Sequence, residues 1–382
     1  KIKATVNGVG IICFYKDNEL ILQEYYSYYY GSIRKEAICY KIRSREYKGL
    51  ASDDFKITVR FESDPKEKLF GMGQYQMPIL DLKGSVLPLE QRNSQVSVPF
   101  VVSNKGYGML WNNPSTGEAA FGTNITKWIS DESDMVDYWI TADDTPAQIV
   151  TNYTECVGRA PVMSKDYLGL WQCKLRYRTP DEVLEVARKY KELGIKLDVI
   201  VIDFFHWPHQ GDWKFDEKYW SRDAVKAMTD ELHAMGTKVM VSVWPSVDKR
   251  SENYYEMEQK ALMSTTDVGS VQTYDYEGDC GTVDFFNPEA QEFVWGKCKQ
   301  NYRDWGIDLF WLDNSEPDST KYDFENYRYY TGRGSKVGCE YPKKYVEAFY
   351  NGQEAEGDHE AVNLCRSAWV GSQKYRTLVW TG

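Results

Sequence analysis

The sequence has little that would attract a polyanionic partner, because acidic side chains outnumber basic ones. It contains 46 Lys and Arg residues against 57 Asp and Glu residues, which gives a formal net charge of −11 at pH 7. Nucleic acids and anionic membranes are bound by clustered basic side chains. The charge balance therefore argues against both, and we predict no nucleic-acid and no membrane partner.

Signals for metal binding and for membrane insertion are also scarce. Only four histidines occur, and Pro208 interrupts the helix that would align His206 with His209, so we predict no metal site and no cofactor. No apolar run approaches the ~20 residues of a membrane span. The eight cysteines contain no CxxC pair, which is typical of free thiols in a reducing compartment and predicts a bacterial cytoplasmic location. Because the first residue is Lys1 rather than Met, a preceding signal peptide stays an open alternative.

Aromatic side chains, by contrast, are abundant. They make up 15% of the chain, with 13 Trp and 29 Tyr residues. This excess suits a protein that stacks flat apolar rings against its ligands, and it equally suits a Tyr-rich β domain. The hydrophobic content of 42% is sufficient for a buried core and excludes a disordered chain.

The patterning changes near residue 165 and indicates a multi-domain protein of β plus α/β class. Residues 1–160 contain short alternating runs separated by turns and no long helical pattern, which predicts an antiparallel β-sandwich. In residues 161–382, buried β-branched runs alternate with helices, the first of which opens with a capping box at residues 179–182. The β units begin near residues 169, 199, 238, 308, 362 and 378.

This alternation is typical either of a doubly wound sheet or of a (β/α)8 TIM barrel. A doubly wound nucleotide fold would have a Gly-rich loop after its first strand, whereas this chain has Gln172-Cys173-Lys174 there. We therefore predict a barrel, truncated after about strand 6 and incomplete at the C-terminus.

Carboxylates follow two of the predicted strands, where a barrel carries its active site. Asp313 begins a stretch that also contains Glu316 and Asp318, and Asp203 follows an earlier strand within a run of aromatic residues. Asp313 is a candidate nucleophile, the alternative being a solvated carboxylate in a loop. Asp203 is a candidate acceptor for hydroxyl groups of a substrate, the alternative being a helix N-cap.

Two further strand ends carry Trp244 and Arg366. Trp244 would line a sugar pocket or pack at the top of the barrel. Arg366 would hold a substrate oxygen, pair with a carboxylate such as Asp313, or do both. Carboxylates and aromatic rings with one arginine, and no metal or phosphate cradle, indicate carbohydrate chemistry, since glycosidases use two carboxylic groups around the scissile bond.

At these residues the chain resembles glycoside hydrolase family 31, the retaining α-glucosidases and α-xylosidases. The resemblance covers nearly the whole chain and depends on the order and spacing of its segments, which include the one around Asp203. The others are GMGQ at 71–74, VPFVVSNKGYG at 98–108, GLWQ at 169–172, SVWP at 242–245, WLD at 311–313, RSAWVGSQKY at 366–375 and WTG at 380–382.

The resemblance implies a role for each polar residue of the candidate site. Asp313 matches the catalytic nucleophile, which would form a covalent glycosyl intermediate. Asp203 matches the acid that binds hydroxyl groups of the sugar in subsite −1, and Arg366 matches an arginine that contacts the same sugar.

The resemblance also implies the apolar part of the pocket. Trp244, Trp311 and Trp380 match its aromatic walls. Phe204 and Phe205 lie where bulky residues of the α-xylosidases occupy the space of a sugar hydroxymethyl group, and residues 172–177 and 206–208 look most like the xyloglucan-type α-xylosidases. Some α-xylosidases have Lys in place of Trp311, so α-glucosidase specificity stays an alternative.

The last motif bears on the general acid/base. In this family an Asp directly follows the Trp-x-Gly motif, and here that motif is residues 380–382, at the end of the sequence. The resemblance thus implies an acid/base just after Gly382 and a C-terminal segment of the same protein as a necessary partner. We expect the 382-residue chain alone to be inactive on aryl α-glycosides.

Together these inferences predict a retaining, exo-acting α-glycosidase. It would remove a terminal non-reducing α-linked sugar, foremost an α-xyloside, from an oligosaccharide or another α-glycoside. An α-glucosidase is the alternative within the family, and a non-catalytic carbohydrate-binding protein is the alternative of another class. Whether the protein forms a homo-oligomer stays open.

Overall fold

The computed structural model describes residues 2–25, 42–93, 95–316 and 326–380. It divides into two compact units: residues 1–91, 95–158 and 334–339 in the first, and residues 92–94, 159–333 and 340–382 in the second. None of the described helices is both long enough and apolar enough to cross a membrane.

The first unit consists mainly of antiparallel sheets. Its strands are β1 (Ile2–Val6), β2 (Ile12–Lys16), β3 (Glu19–Gln23), β4 (Arg45–Gly49), β5 (Phe55–Glu62), β6 (Leu69–Gln74), β7 (Val86–Leu89), β8 (Val96–Ser103), β9 (Tyr107–Trp111), β10 (Gly117–Phe121), β11 (Ile125–Ser133) and β12 (Tyr138–Ala142). They pair in the orders β1-β2-β3, β4-β5-β11-β10-β7 and β12-β9-β8-β6. The predicted antiparallel, strand-rich architecture is confirmed.

Alternation along the strands of this unit builds its core. Along β5 and β11, buried residues alternate with half-buried ones, so that Ile57, Val59 and Phe61 share a face with Trp128 of the paired strand. Trp111 and Trp128 stack with their ring centroids 6.0 Å apart inside the same apolar cluster. Part of the aromatic content of the first unit therefore forms its core.

The expectation of no long helix before residue 165 is wrong. Helix α1 (Pro146–Val157) begins after Thr145, whose hydroxyl accepts a hydrogen bond from the Gln148 N–H. Its buried residues are Ile149 and Tyr153, one turn apart, and the Tyr153 ring stacks on Phe100 at 4.0 Å. A stripe of two apolar residues is too narrow to produce a clear helical pattern in the sequence.

The second unit is built on a parallel sheet. Its strands are β13 (Leu170–Lys174), β14 (Leu197–Ile202), β15 (Lys238–Val243), β16 (Ser246–Asp248), β17 (Thr273–Asp275), β18 (Asp279–Thr282), β19 (Leu309–Leu312), β20 (Arg328–Tyr329), β21 (Gly332–Arg333), β22 (Asn363–Cys365) and β23 (Thr377–Leu378). The order β13-β14-β15-β19-β22-β23 is parallel throughout. These six strands are the predicted β units and fit the first part of a TIM barrel.

Helices connect most of these strands and begin at the caps that the sequence carries. They are α2 (Pro180–Glu192), α3 (Arg222–Ala234), α4 (Tyr254–Gln259), α5 (Pro288–Asn301), α6 (Gly334–Val337), which lies in the first unit, and α7 (Tyr341–Ala355), with 3-10 turns at 165–167, 303–305, 338–340 and 372–375. Thr179, Ser221 and Asn287 cap α2, α3 and α5 by accepting backbone N–H hydrogen bonds. Helix α7 was not predicted.

The central strands of the parallel sheet are buried, which explains their apolar runs. Every residue of β14 is buried. Val199 and Val201 belong to one apolar cluster with Met240 of β15 and Leu309 of β19. The polar residues that follow these strands are consequently delivered to one edge of the sheet.

Candidate functional site

The carboxyl ends of four adjacent strands bring the predicted site residues together. Asp203 follows β14, Trp244 follows β15, Asp313 follows β19 and Arg366 follows β22. The strands are parallel neighbours in that order, so their ends lie along one edge. Residues separated by as many as 163 positions in the chain thereby approach each other.

Asp313 is buried, with 5% of its surface exposed. Its Oδ1 lies 3.3 Å from Arg366 Nη1, yet this oxygen accepts no hydrogen bond from any described residue. Burial raises the pKa of Asp313, while the Arg366 charge and the Trp244 indole oppose that rise. The Trp244 N–H does not reach hydrogen-bonding geometry either, and it is likewise unpaired among the described residues.

Asp203 is also buried and is bonded differently. Its Oδ1 accepts the N–H of Phe204 at 2.7 Å, and the Cys173 thiol lies 3.8 Å from its Oδ2. Burial raises its pKa to about 6, and the negative charge of Asp313 adds to that rise. The N-cap alternative is wrong for Asp203, because Ser221 caps the helix that follows.

The two carboxyl groups are therefore electrostatically coupled but have unequal surroundings. Arg366 faces Asp313 and favours its ionised form. Asp203 has no described cation within ion-pair distance. In enzymes, two neighbouring carboxyl groups with different surroundings often have different chemical roles.

Arg366 pairs chiefly with a residue that had no assigned role. Its Nε contacts both carboxylate oxygens of Glu316, at 3.0 and 2.9 Å, and its Nη2 donates to Glu316 Oε2 at 2.7 Å and to Asn314 Oδ1 at 2.9 Å. Glu316 is fully buried. Pairing with a carboxylate, one of the alternatives for Arg366, is thus present in the structure, and its Nη1 lies near Asp313 as well. Asp318, of the same stretch, lies outside the described residues.

The predicted aromatic residues form two groups. Phe204 lies 4.6 Å from Phe205 and 4.9 Å from Trp244, measured between ring centroids. Trp311 and Trp380 meet edge to face at 5.3 Å. The Trp311 N–H is buried and unpaired among the described residues. Buried polar atoms are nearly always hydrogen-bonded, so the unpaired Trp311 N–H and Asp313 Oδ1 suit a site that a polar ligand completes.

Tyr276 extends the first aromatic group and was missed from the sequence. Its ring lies 5.5 Å from Trp244, and its carbonyl accepts a hydrogen bond from the Gln210 side chain. It lies in the turn between β17 and β18. No local pattern marks this residue, because only the folding of that small sheet places the turn beside Trp244.

His206, weighed from the sequence as a metal ligand, forms hydrogen bonds within the protein instead. Its Nδ1 lies 2.9 Å from the Asp203 carbonyl and its Nε2 lies 2.9 Å from the Tyr302 hydroxyl. A carbonyl only accepts, so Nδ1 carries the hydrogen; burial lowers the His206 pKa to about 4, so Nε2 is unprotonated and accepts from Tyr302. Among the described residues no cluster of His, Cys, Asp or Glu is arranged to hold a metal ion.

Comparison with known proteins identifies the family. The profile of the "Glycosyl hydrolases family 31 TIM-barrel domain" matches residues 160–382. The chain is 47% identical to an uncharacterized family 31 glucosidase, ORF2, of Pseudescherichia vulneris, and the match covers all of this chain and 73% of that protein. It is 33% identical to alpha-xylosidase A of Aspergillus niger, over 86% of this chain and 48% of that protein.

A solved structure is similar over the whole described fold. The crystal structure of a GH31 alpha-xylosidase from a soil metagenome, complexed with xylose, superimposes with a TM-score of 0.94 at 47% identity. The match covers all of this chain and 57% of that one. On the profile match and these identities, the chain belongs to glycoside hydrolase family 31.

Proposed function

We propose that the protein is a retaining, exo-acting α-glycosidase whose preferred substrate is an α-xyloside. The observation that carries this proposal is the buried Asp313 carboxylate at the end of β19. It faces Arg366 and retains an oxygen that accepts no hydrogen bond from the described residues. Residues 161–382 would form the catalytic part and residues 1–160 an accompanying β-sandwich.

In the proposed mechanism Asp313 attacks the anomeric carbon of the terminal sugar. The leaving oxygen is protonated as the bond to it breaks, and a glycosyl ester on Asp313 results. Water then hydrolyses that ester, and the proton of the water passes to the group that acted as acid. Two inversions at the anomeric carbon retain its configuration.

None of the described carboxylates is proposed as the acid/base. The resemblance assigns that role to a residue directly after Gly382, and retaining glycosidases hold their two carboxyl groups ~5–5.5 Å apart. Asp203 would instead accept hydrogen bonds from sugar hydroxyl groups through its ionised carboxylate. Arg366, whose Nη1 lies 3.3 Å from Asp313 Oδ1, would contact the same sugar.

The preference for xylose rests on Phe204 and Phe205. Their rings are in contact with each other and with Trp244 beside Asp203, where they would fill the space of a hydroxymethyl group. The relatives named alpha-xylosidase support this choice. Rates on 4-nitrophenyl α-xyloside and α-glucoside decide it: we expect xylose to be released faster, and faster release of glucose would establish the α-glucosidase alternative.

The first prediction concerns the nucleophile. In the full-length protein, Asp313→Ala should lower kcat by at least about 10³-fold while a xylose-type ligand still binds, because the attacking carboxylate is lost but the pocket walls remain. Activity and ligand affinity are measured together. Asp284→Asn, which alters another buried aspartate, should stay within severalfold of wild type. Near-normal turnover by Asp313→Ala would disprove the assignment.

A covalent adduct separates the enzyme from a non-catalytic sugar-binding protein. Incubation with a 5-fluoro-xylosyl fluoride should add one glycosyl mass, located by peptide mapping on Asp313. A protein that only binds sugars would leave the probe unreacted.

A further inference from the structure

We propose that a cleft beside Phe204 and Phe205 is a second subsite, one that takes an anionic group, a carboxylate or a sulfate ester, on the leaving-group part of the glycoside. The inference rests on the proposed function, because it names the substrate class of the same site.

The cleft lies between the segment from the end of β13 to the start of α2, the turn after β14, and the turn between β17 and β18. Its volume is about 560 Å³, and its lining is Lys174, Leu175, Arg176, Arg178, Glu182, Phe204, Phe205, Tyr276 and Glu277. A volume of this size is in the ordinary range for small-molecule sites. Phe204 and Phe205 belong both to this cleft and to the aromatic group beside Asp203, so a ligand that extends from the catalytic pocket reaches it.

The charge of the cleft differs from that of the molecule. Lys174, Arg176 and Arg178 line it against two carboxylates, although the whole chain carries a net charge of −11. None of the three cations forms an ion pair with a carboxylate in the part of the chain that the structure describes. Elsewhere in this unit, exposed cations do pair, as Lys226 does with Asp230.

The two carboxylates differ in how far they can neutralise these cations. Glu182 Oε2 accepts the backbone N–H of Arg178 at 2.9 Å, so it is engaged at the start of α2. Glu277 is in the turn after Tyr276 and is the other acidic group of the lining. The lining therefore has three positive charges and two negative ones, and one of the two carboxylates already accepts a backbone hydrogen bond. The net positive charge favours binding of an external anion.

The placement of the cations against aromatic rings favours a ring-shaped anionic ligand. The Arg176 guanidinium lies over Phe205, 5.1 Å from the ring centroid, and the Lys174 ammonium lies over Tyr177 at 5.7 Å. Aromatic faces stack against sugar rings, and arginine's planar fork matches carboxylate and sulfate oxygens. An acidic sugar unit satisfies both features of the cleft.

The test uses three disaccharides that share a linkage. Each has a non-reducing α-xylosyl group, attached to glucose, to glucuronate or to glucose 6-sulfate, and xylose release is followed with the full-length protein. We expect kcat/KM to be higher for the acidic disaccharides than for the neutral one, and this advantage to shrink as salt rises. The carboxylate and sulfate arms show which anion is preferred.

The matched variants remove equal charge at two places. Lys174→Gln/Arg178→Gln keeps the Arg176–Phe205 contact. It should lower kcat/KM for an acidic disaccharide about tenfold, because two exposed charge contacts are lost. For the neutral disaccharide, kcat/KM should change less than about twofold. Arg188→Gln/Lys226→Gln, on the outer faces of α2 and α3, should leave kcat/KM unchanged for the acidic and for the neutral disaccharides. Equal loss on all three disaccharides, or no advantage of the acidic ones, would overturn the proposal.

A binding measurement keeps this proposal separate from the proposed function. If the wild-type protein hydrolyses no α-glycoside, its affinity for methyl glucuronide still tests whether the cleft binds an acidic sugar. Binding that weakens in Lys174→Gln/Arg178→Gln but not in Arg188→Gln/Lys226→Gln supports the subsite, and binding equal in all three proteins contradicts it.

Discussion

Asp203 and Asp313 are the same residue type, and their surroundings make them chemically different. Asp313 faces a guanidinium, whereas Asp203 accepts a backbone N–H and has a pKa raised to about 6 by burial and by the Asp313 charge. Burial is the main cause of the raised Asp203 pKa, and the Asp313 charge adds to it. Burial raises the pKa of Asp313 as well, and the Arg366 charge opposes that rise.

This difference predicts the acid limb of activity. Since ionised Asp203 is the proposed acceptor for sugar hydroxyl groups, kcat/KM should fall as the pH drops through about 6. Asp203→Asn should lower kcat/KM and remove the acid limb near pH 6, because the asparagine does not titrate. The pH profiles of both proteins are compared with that of Asp230→Asn, a surface control. An unchanged limb in Asp203→Asn would assign the titration to another group.

At the scale of elements, the turn after β14 is connected to the segment ahead of β19. His206 accepts the Tyr302 hydroxyl and donates to the Asp203 carbonyl, and Tyr302 directly follows α5. In the turn between Asp203 and His206, the backbone of Phe205 is left-handed, with a φ of +64°. Such a backbone is uncommon for a bulky residue and persists where neighbouring contacts hold it. The hydrogen-bonded chain thus positions the turn that carries Asp203 and both phenylalanines.

Removing one hydroxyl tests this connection. Tyr302→Phe leaves a buried imidazole nitrogen without its donor, which should cost about 1–3 kcal/mol in the free energy of unfolding. It should also reduce the xyloside-to-glucoside ratio of kcat/KM, because the phenylalanines are held less firmly. Both are measured beside Tyr341→Phe, which removes another buried hydroxyl, one that donates to the Val283 carbonyl. A ratio that changes equally in both variants would contradict a positioning role.

At the scale of the whole molecule, buried carboxyl groups set part of the pH dependence of stability. Asp284 is buried outside the proposed site, and although it accepts the N–H groups of Phe286 and Tyr330, burial raises its pKa to about 6. A carboxyl group with a raised pKa in the folded state stabilises the fold below its unfolded pKa. That contribution disappears as the pH rises through about 6.

Asp284→Asn should therefore alter the slope of stability against pH. Relative to wild type, the variant should gain about 2 kcal/mol between pH 4 and pH 7, because it does not ionise. The first urea-induced unfolding transition is measured at each pH, with Asp230→Asn as the exposed control. Parallel curves for wild type and Asp284→Asn would mean that Asp284 has the same pKa in both states.

The chain is shorter than the relatives it matches, and this bears on activity at the molecular scale. It spans 73% of the Pseudescherichia vulneris protein, 57% of the soil-metagenome xylosidase and 48% of the Aspergillus niger enzyme. The activity experiments therefore use the full-length protein.

Features that depend on neighbouring residues in the chain were predictable. The six parallel strands follow from apolar runs such as β14, and the starts of α2 and α5 follow from caps at Thr179 and Asn287. Periodicity and capping are local properties, so the barrel and the ends of its strands, which carry Asp203 and Asp313, could be inferred. Helix α1 was missed because its contact with the sheet uses only two side chains.

Features that depend on contacts between distant residues required the folded chain. The effect of the Asp313 charge on the pKa of Asp203, the pairing of Arg366 with Glu316, and the approach of Tyr276 to Trp244 all join different strands or loops. The same holds for the cleft lined by Lys174, Arg176 and Arg178. A proton affinity or an ion pair depends on burial and on distance in space, and neither quantity is encoded within a single segment.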